Sequence, residues 1–149
     1  MGIRTSNTED VVMEDVRVPA SAMIGTEGKG FNIAMSTLDI TRALMCIGAV
    51  GIMQRAIDEA VAYSKQRVTF GQPIGKNQAI QFMIADMEIK KETARHMGLH
   101  ALRLQELGLP YAKESAIAKC YGGDMAVQVA LYAIQILGGY GYSREYPVE

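Results

Sequence analysis

A cation, a hydroxyl group and an aromatic ring lie close together in the segment Arg67-Val68-Thr69-Phe70-Gly71-Gln72. A guanidinium group can hold a phosphate through paired hydrogen bonds, and a phenyl ring can stack on a base. The structural alternative is that Arg67 ends a helix and only compensates the helix dipole. These residue types therefore indicate either a nucleotide-binding site or an ordinary helix end.

Three glycines occur within the segment Gln135-Ile136-Leu137-Gly138-Gly139-Tyr140-Gly141-Tyr142, directly after an apolar helical stretch. Glycine lets the backbone approach a ligand closely, and successive amides can cradle a phosphate. The run follows a helix and not a strand, so it is not the dinucleotide fingerprint of a Rossmann unit. A helix C-cap explains one glycine but not three. A second candidate, Glu27-Gly28-Lys29-Gly30, could hold an anion before a helix, although such a pair is usually only a flexible approach.

Asp39 and Arg42 are three residues apart, which puts them on the same face of a helix. The simplest interpretation is a local ion pair that stabilises the helix. Thr41 interrupts an otherwise apolar stripe beside them, which favours a position that faces a ligand. Both interpretations stay open.

The sequence indicates neither a metal site nor a cysteine nucleophile. His96 and His100 are four residues apart and could share a metal, but no acidic or cysteine ligands accompany them at suitable spacing. Cys46 and Cys120 have no histidine close in sequence. We therefore predict no metal and two core thiols.

The 149 residues include 15 basic and 16 acidic side chains, which gives a formal net charge of −1. A protein that binds nucleic acid by electrostatic attraction would carry a clear basic excess, so that class is excluded. Two cysteines are too few for a disulfide scaffold, and the longest apolar run, residues 43–53, is too short to span a membrane. We expect a soluble, intracellular domain.

Apolar residues recur with a helical period through most of the chain, and glycine and proline mark the breaks. We predict helices from residue 30 to about 67, from about 76 to 107 and from about 110 to 137. Short connections make them antiparallel neighbours in an up-down bundle. The inward face of the first helix is predicted to consist of Phe31, Ala34, Met35, Leu38, Met45, Ala49, Ile52, Met53, Ala56, Ile57 and Ala60. The methionines are expected to fill the core. Three helices leave a groove for a fourth, and the sequence stops in a loop, so we interpret the domain as truncated.

The first 25 residues have a different pattern. Val11, Val12, Val16 and Val18 are β-branched and predict one or two short strands. Such strands need further strands beside them, so this segment is interpreted as the edge of a larger structure. The start, Met1-Gly2-Ile3-Arg4-Thr5-Ser6, fits a myristoylation pattern, but the simpler interpretation is the boundary of a fragment.

Taken together, these segments resemble the acyl-CoA dehydrogenase family, and within it the medium-chain type most closely. The motifs that carry the resemblance follow one another along the chain: Gly2-Ile3-Arg4 with residues 11–19, Glu27-Gly28-Lys29-Gly30-Phe31, Leu38-Asp39-Ile40-Thr41-Arg42, Arg67-Val68-Thr69-Phe70-Gly71, Gln78-Ala79-Ile80 and residues 135–142. The resemblance implies a mainly α fold, with three long antiparallel helices of a four-helix bundle after one or two short strands. It assigns residues 1–27 to the tail of a middle β-domain and residues 28–149 to a truncated C-terminal helical domain.

The resemblance also implies a function. Family members bind FAD at a subunit interface of a homotetramer and oxidise fatty acyl-CoA to trans-2-enoyl-CoA in β-oxidation. A glutamate removes the α-proton while the β-hydrogen passes to the flavin as hydride. The electrons go on to electron-transferring flavoprotein. The implied location is the mitochondrial matrix, or the cytoplasm in a bacterium.

Two groups of residues are assigned to FAD by the resemblance. One group would hold the diphosphate and adenine of a neighbouring subunit's FAD: Arg67, Thr69 and Phe70. The other would lie along the FAD of the adjacent subunit: Gln135, Leu137, Gly138 and Gly139. Gln78 resembles a further flavin neighbour, and two residues resemble those that meet the CoA portion of the substrate: Asp39 and Arg42.

The glutamate that removes the proton has no counterpart in this sequence. In the medium-chain type it lies in a Tyr-Glu-Gly segment well past the glycine-rich turn, so it is expected beyond Glu149. Some relatives place the base near Thr41, but threonine has no carboxylate. We therefore expect this piece alone to be inactive and to bind FAD weakly, if at all. The alternative function is a non-catalytic helical module for oligomerisation or interaction.

Overall fold

Three long helices make up most of the structure, a computed structural model that describes residues 6–148. They are α1 (Gly30–Gln66), α2 (Gln78–Glu106) and α3 (Ala112–Leu137). Two short strands, β1 (Val68–Thr69) and β2 (Gln72–Pro73), lie between α1 and α2, and 3₁₀ turns occupy Ala20–Ala22, Ile74–Lys76 and Gly138–Tyr142. The predicted helical bundle is confirmed, and each helix begins and ends within two residues of its predicted bounds.

The chain divides into two compact units between Ile33 and Ala34. In the first unit, residues 6–29 form no strand, so the one or two short strands predicted around residues 11–18 are wrong. Val11 and Val12 are exposed, and the described part of this segment offers no neighbouring strand with which they could pair. The segment Gly2-Ile3-Arg4, with the acylation pattern, lies outside the described residues.

Two hydrogen bonds show that α2 runs antiparallel to α1. Lys91 Nζ in α2 donates to Gln54 Oε1 in α1 at 2.7 Å, and Cys46 Sγ in α1 donates to the carbonyl oxygen of Ala94 in α2 at 3.3 Å. The later residue of α1 thus meets the earlier residue of α2. This order confirms the predicted direction of the first two helices.

Contacts of α3 show that it runs parallel to α1. The buried Ser115 hydroxyl donates a hydrogen bond to the backbone carbonyl of Asp39, and Gly122, farther along α3, packs on Cys46, farther along α1. The three helices therefore run up, down and up, as predicted.

The three helices pack closely around Cys46. A methyl group added at Gly122 would lie 2.7 Å from Cys46 Sγ, and one added at Gly98 would lie 2.8 Å from Ile47 Cδ1 and 3.4 Å from Cys46 Sγ. Burial raises the pKa of the Cys46 thiol, which therefore stays protonated and inert. Cys46 is a core thiol as predicted, but Cys120 is exposed, which corrects its assignment to the core.

A buried cation joins α2 to α1. Lys91 Nζ also contacts Glu88 Oε1 at 2.6 Å and Glu92 Oε1 at 3.3 Å. Burial alone would lower the pKa of Lys91, but the two carboxylates outweigh it, and the pKa is raised above its ordinary value. The hydrogen bond from Lys91 lowers the pKa of Glu92 in turn.

The apolar residues of α1 are not confined to its buried face. Met53 and the other core methionine, Met87, are fully buried, but Leu38, Met45 and Ile52 are exposed by 43%, 63% and 61%. Phe31, in the first unit, is exposed as well. These four residues were predicted to face inward, and the prediction fails because only one face of α1 can pack against α2 and α3. Residues 6–148 leave the rest of its apolar surface uncovered.

By length and composition alone, α1 could cross a bilayer, since an 18-residue window has a mean hydropathy of 1.5. The sequence contains no uninterrupted apolar run long enough to span a membrane, which is why we expected no such segment. Core helices of other proteins meet the same measure, so this window alone does not indicate a membrane-spanning helix.

Candidate functional site

The end of α1, the β1–β2 hairpin and the turn after α3 line an open pocket of about 570 Å³. Five residues that the sequence assigned to a cofactor line it together: Arg67, Thr69, Leu137, Gly138 and Gly139. Its wall is completed by Tyr63, Ile74, Ile136, Tyr140, Ser143 and Glu145. We call it the hairpin pocket.

Arg67 stands at the point where α1 passes into the hairpin. Its backbone N–H donates to the carbonyl of Tyr63 at 2.9 Å, which continues the helix, and its carbonyl accepts from the N–H of Ile74 at 2.9 Å. Among the described residues, the Arg67 side chain has no acidic partner within ion-pair distance. The exposed guanidinium fits both interpretations made from the sequence, because it ends a helix and also faces the pocket with its charge uncompensated.

Phe70 lies at the tip of the hairpin and outside the pocket lining. Thr69 pairs with Gln72 across the two strands, and Phe70 and Gly71 form the turn with φ values of 51° and 80°. Two positive φ values define a type I′ turn, which suits asparagine and glycine and strains a phenylalanine. The Phe70 ring is fully exposed. The chain thus holds an aromatic ring in solvent at a conformational cost.

The glycine-rich turn has one tightly packed glycine and two open ones. A methyl group at Gly141 would lie 2.5 Å from the carbonyl oxygen of Ile134, so only glycine fits there. Gly138 ends α3 with a φ of 62°, which favours glycine. Methyl groups at Gly138 and Gly139 would meet nothing within 4 Å. The bare backbone at these two positions therefore leaves space beside the pocket.

Besides Phe70, two more residues assigned to the cofactor lie outside this pocket. Gln135 is exposed on the last turn of α3, and Gln78 is exposed at the first position of α2. Neither lines the hairpin pocket. Their residue types and positions in the sequence do not distinguish them from the residues that line it.

Asp39 and Arg42 form the local ion pair that was the simpler interpretation. Arg42 Nη1 and Asp39 Oδ1 are 2.7 Å apart on α1, and both side chains are partly exposed. The Thr41 hydroxyl donates to the carbonyl of Leu38 at 3.1 Å. These residues do not line the hairpin pocket.

Three tyrosines that the sequence interpretation missed pack against each other beside the pocket. The ring centroids of Tyr63 and Tyr140 are 6.2 Å apart, those of Tyr63 and Tyr146 5.6 Å, and those of Tyr140 and Tyr146 5.9 Å. We call them the tyrosine cluster. The only signal was that Tyr63 precedes Arg67 by one helical turn and Tyr140 directly follows Gly139.

A second, more apolar groove of about 730 Å³ lies between α1 and α2. Its floor includes Ile57, Val61 and Ile84, and Lys65, Lys76 and Glu88 stand among its polar residues. No residue assigned to the cofactor or substrate lines it.

No metal-binding cluster is found within residues 6–148. His96 is exposed, and its Nδ1 lies 2.8 Å from the carbonyl oxygen of Glu92. His100 is exposed as well. The two histidines gain no third ligand from the neighbouring helices.

Comparison with known proteins places these features in a family. Residues 28–149 match the family model of the acyl-CoA dehydrogenase C-terminal domain. The short-chain specific acyl-CoA dehydrogenase of Megasphaera elsdenii is 50% identical over 99% of this chain and 39% of its own length. The human mitochondrial short-chain specific enzyme is 44% identical over 100% of this chain and 36% of its own length.

Solved structures agree with the sequence relatives. Butyryl-CoA dehydrogenase from Megasphaera elsdenii has a TM-score of 0.89 at 50% identity, over 92% of this chain and 36% of that chain. A chain from the structure of the electron transferring flavoprotein of Acidaminococcus fermentans has a TM-score of 0.89 at 47% identity, with the same coverage.

The chain spans about two fifths of the length of the curated relatives that it matches. These relatives carry short-chain or butyryl names, so they support the family but not the medium-chain type to which the motifs pointed. With a family model across residues 28–149 and 50% identity along nearly all of its length, the chain belongs to the acyl-CoA dehydrogenase family and contains its C-terminal helical domain.

Proposed function

We propose that the chain is part of an FAD-dependent dehydrogenase that oxidises a fatty acyl-CoA to the trans-2-enoyl-CoA. We also propose that the hairpin pocket holds the diphosphate region of FAD. The convergence of Arg67 and Thr69 with Gly138 and Gly139 on one pocket is the observation that carries this proposal. Arg67 and Thr69 follow α1, whereas Gly138 and Gly139 follow α3. Because these distant segments line one pocket, the pocket suits a single extended ligand.

The donor set fits a diphosphate. Arg67 offers a guanidinium without an acidic partner among the described residues, and Thr69 adds a hydroxyl group. The two open glycines let phosphate oxygens approach the backbone. Glu145 also lines the pocket and would repel a phosphate placed beside it, so we expect the diphosphate on the Arg67 side.

The exposed hairpin tip supports binding across subunits. Phe70 presents its ring to solvent and not to the pocket of its own chain, so we propose that it stacks on the adenine of FAD held by a neighbouring subunit. The uncovered apolar face of α1, with Met45 and Ile52, supports burial in a larger assembly. We propose a homotetramer, in which Gln78 and Gln135 approach the flavin from outside this pocket.

The proposed chemistry is divided between this chain and parts outside it. Bound FAD would accept the β-hydrogen of the acyl group as hydride. The residues of this chain bind and orient the cofactor, and the Asp39–Arg42 pair would meet the CoA portion of the substrate. The sequence has no Tyr-Glu-Gly segment and Thr41 carries no carboxylate, so we propose that the chain alone does not turn over acyl-CoA.

The relatives also support proposals about partner and location. Similarity to a chain in an electron transferring flavoprotein structure supports such a flavoprotein as electron acceptor. Relatives from a human mitochondrion and from a bacterium support the mitochondrial matrix or, in a bacterium, the cytoplasm. Residues 1–27 would belong to a preceding β-domain and residues 28–149 to the helical domain.

An NMR titration of the chain with FAD tests the pocket, because it detects even millimolar binding. We expect the amide signals of Gly138 and Gly139 to shift. Arg67→Ala should raise the dissociation constant about 10- to 100-fold, since a charged hydrogen bond contributes about 1.5–3 kcal/mol. Arg103→Ala is the matched control, because Arg103 pairs with Glu106 at 2.6 Å on the far end of α2.

Three outcomes would count against the proposal. Signals that shift only far from residues 67–69 and 138–139 would place FAD elsewhere. Equal effects of the two arginine variants would show that Arg67 contributes only general positive charge. If FAD causes no shift while light scattering shows a defined oligomer, a non-catalytic oligomerisation module becomes the better description.

A further inference from the structure

The tyrosine cluster joins the end of α1 to two tyrosines that follow α3 and are six residues apart in the sequence. Tyr63 lies near the end of α1, Tyr140 in the turn after α3, and Tyr146 in the segment that follows this turn. The rings are tilted or perpendicular to each other, with interplanar angles of 56°, 86° and 69°. The two contacts of Tyr146 are edge-to-face, which is a favourable arrangement for aromatic rings.

Each tyrosine is next to part of the hairpin pocket. The carbonyl of Tyr63 accepts the N–H of Arg67 at 2.9 Å, so a shift of Tyr63 would move the start of the hairpin. Tyr140 directly follows Gly139, and both line the pocket. Tyr146 is partly buried, and Val148 beyond it is 5% exposed, which anchors this segment against the bundle.

The glycine-rich turn needs an external support. Glycine has more backbone freedom than any other residue, so Gly138 and Gly139 alone do not hold one conformation. Gly141 packs on the backbone of Ile134 and supports the far side of the turn. Within the turn, the Gly138 N–H donates to the carbonyls of Ile134 and Gln135. On the pocket side, Tyr140 adds ring contacts with Tyr63 and Tyr146.

We propose that the tyrosine cluster positions the Gly138–Gly139 backbone opposite Arg67, with Tyr146 as the positioning residue that holds Tyr63 and Tyr140 together. This inference rests on the proposed FAD site. It adds a role for three tyrosines that do not supply the positive charge for the diphosphate. A preformed pocket binds more tightly, because the ligand does not have to order the turn. The phenol oxygen is not required for this role, since the contacts are between rings.

The test compares Tyr146→Ala with Tyr146→Phe and with a control, Tyr132→Ala. Tyr132 is a partly buried tyrosine of α3 that packs beside Lys90, away from the pocket. Hydrogen exchange of the amides of residues 138–142 is measured in the chain without ligand. FAD affinity is then measured by the NMR titration, and thermal stability by circular dichroism.

We expect Tyr146→Ala to accelerate exchange in residues 138–142 and to weaken FAD binding roughly tenfold by loss of preorganisation. Tyr146→Phe should keep both the exchange rates and the FAD affinity of the parent chain. Tyr132→Ala should lower the melting temperature without changing either one. If Tyr146 had only a structural role, Tyr146→Ala would behave like Tyr132→Ala. Its melting temperature would fall, while amide exchange in residues 138–142 and FAD affinity would stay unchanged.

The result separates this inference from the proposed function. Unchanged exchange in Tyr146→Ala overturns the positioning role whether or not FAD binds. Faster exchange together with unchanged FAD affinity overturns it as well. If Arg67→Ala has no effect on binding, the proposed FAD site itself is wrong, whereas an effect of Arg67→Ala without one of Tyr146→Ala refutes only the positioning role.

Discussion

Replacing Gly122 with alanine would put a methyl group where α3 crosses α1. The added carbon would lie 2.7 Å from Cys46 Sγ and 3.3 Å from Cys46 Cα. The sulfur cannot move away freely, because it donates to the carbonyl of Ala94 and lies 3.4 Å from the corresponding position at Gly98. The helices must therefore separate, or the Cys46 side chain must leave its place.

The expected change follows from two opposing contributions. Alanine stabilises a helix interior by about 1 kcal/mol relative to glycine, whereas overpacking a tight core costs about 1–3 kcal/mol. Cys46 is 1% exposed and confined on several sides, so the cost should lie near the upper end. We expect Gly122→Ala to lower the free energy of unfolding by about 2 kcal/mol.

Urea unfolding followed by circular dichroism measures this change, with Gly123→Ala as the matched control. A methyl group at Gly123 would meet nothing within 4 Å, so this variant should be more stable by up to about 1 kcal/mol. Cys46→Ala in the Gly122→Ala background removes the sulfur and should recover part of the loss. If Gly122→Ala is as stable as Gly123→Ala, the close crossing of α1 and α3 is wrong.

Three further predictions concern the hairpin, the glycine-rich turn and the pH dependence of stability. Phe70→Asn should relieve the strained turn and raise the free energy of unfolding by about 1 kcal/mol, while weakening FAD binding in the assembled enzyme; lower stability in urea would contradict the strain. Gly141→Ala should destabilise by about 2 kcal/mol or more, because its methyl group would meet a backbone carbonyl at 2.5 Å, whereas Gly139→Ala should stay within about 1 kcal/mol of the parent chain. The pKa of Glu92 is lowered in the folded chain, so its contribution is present above its ordinary pKa of about 4.3 and is lost as pH falls through the folded value. The raised pKa of Lys91 gives a contribution that is present below about pH 10.4 and is lost as pH rises through the folded value. Lys91→Met should flatten urea stability against pH at both ends, and an unchanged profile would contradict the coupling.

The helices were predictable because local signals set their ends. Gly108 and Pro110 break the chain between α2 and α3, and Gly138 ends α3. The period of the apolar residues placed Met53, Ala56, Ile57 and Ala60 correctly on the buried face of α1, but it did not show where that face ends. Met45 and Ile52 continue the apolar stripe but stay exposed, since apolar residues occur around most of this helix.

The residue types of the candidate site could be predicted from the sequence, but their arrangement around one pocket could not. The residue types of Arg67 and Gly138 indicated phosphate binding, but only the fold brings them to one pocket. The strand pattern near Val11 failed because strands depend on pairing with chain that the segment itself does not provide. The contact between Tyr63 and Tyr146 leaves no local trace in the sequence, because the two residues meet only through packing of α1 against the segment after α3.

A crystal structure of the chain soaked or grown with FAD tests the central claim most directly. We expect diphosphate density in the hairpin pocket, with oxygens about 3 Å from the Arg67 guanidinium and from the Thr69 hydroxyl group. The backbone of Gly138 and Gly139 should lie along the same ligand. Density for FAD in the groove between α1 and α2, with the hairpin pocket unoccupied at saturating FAD, would contradict the assignment.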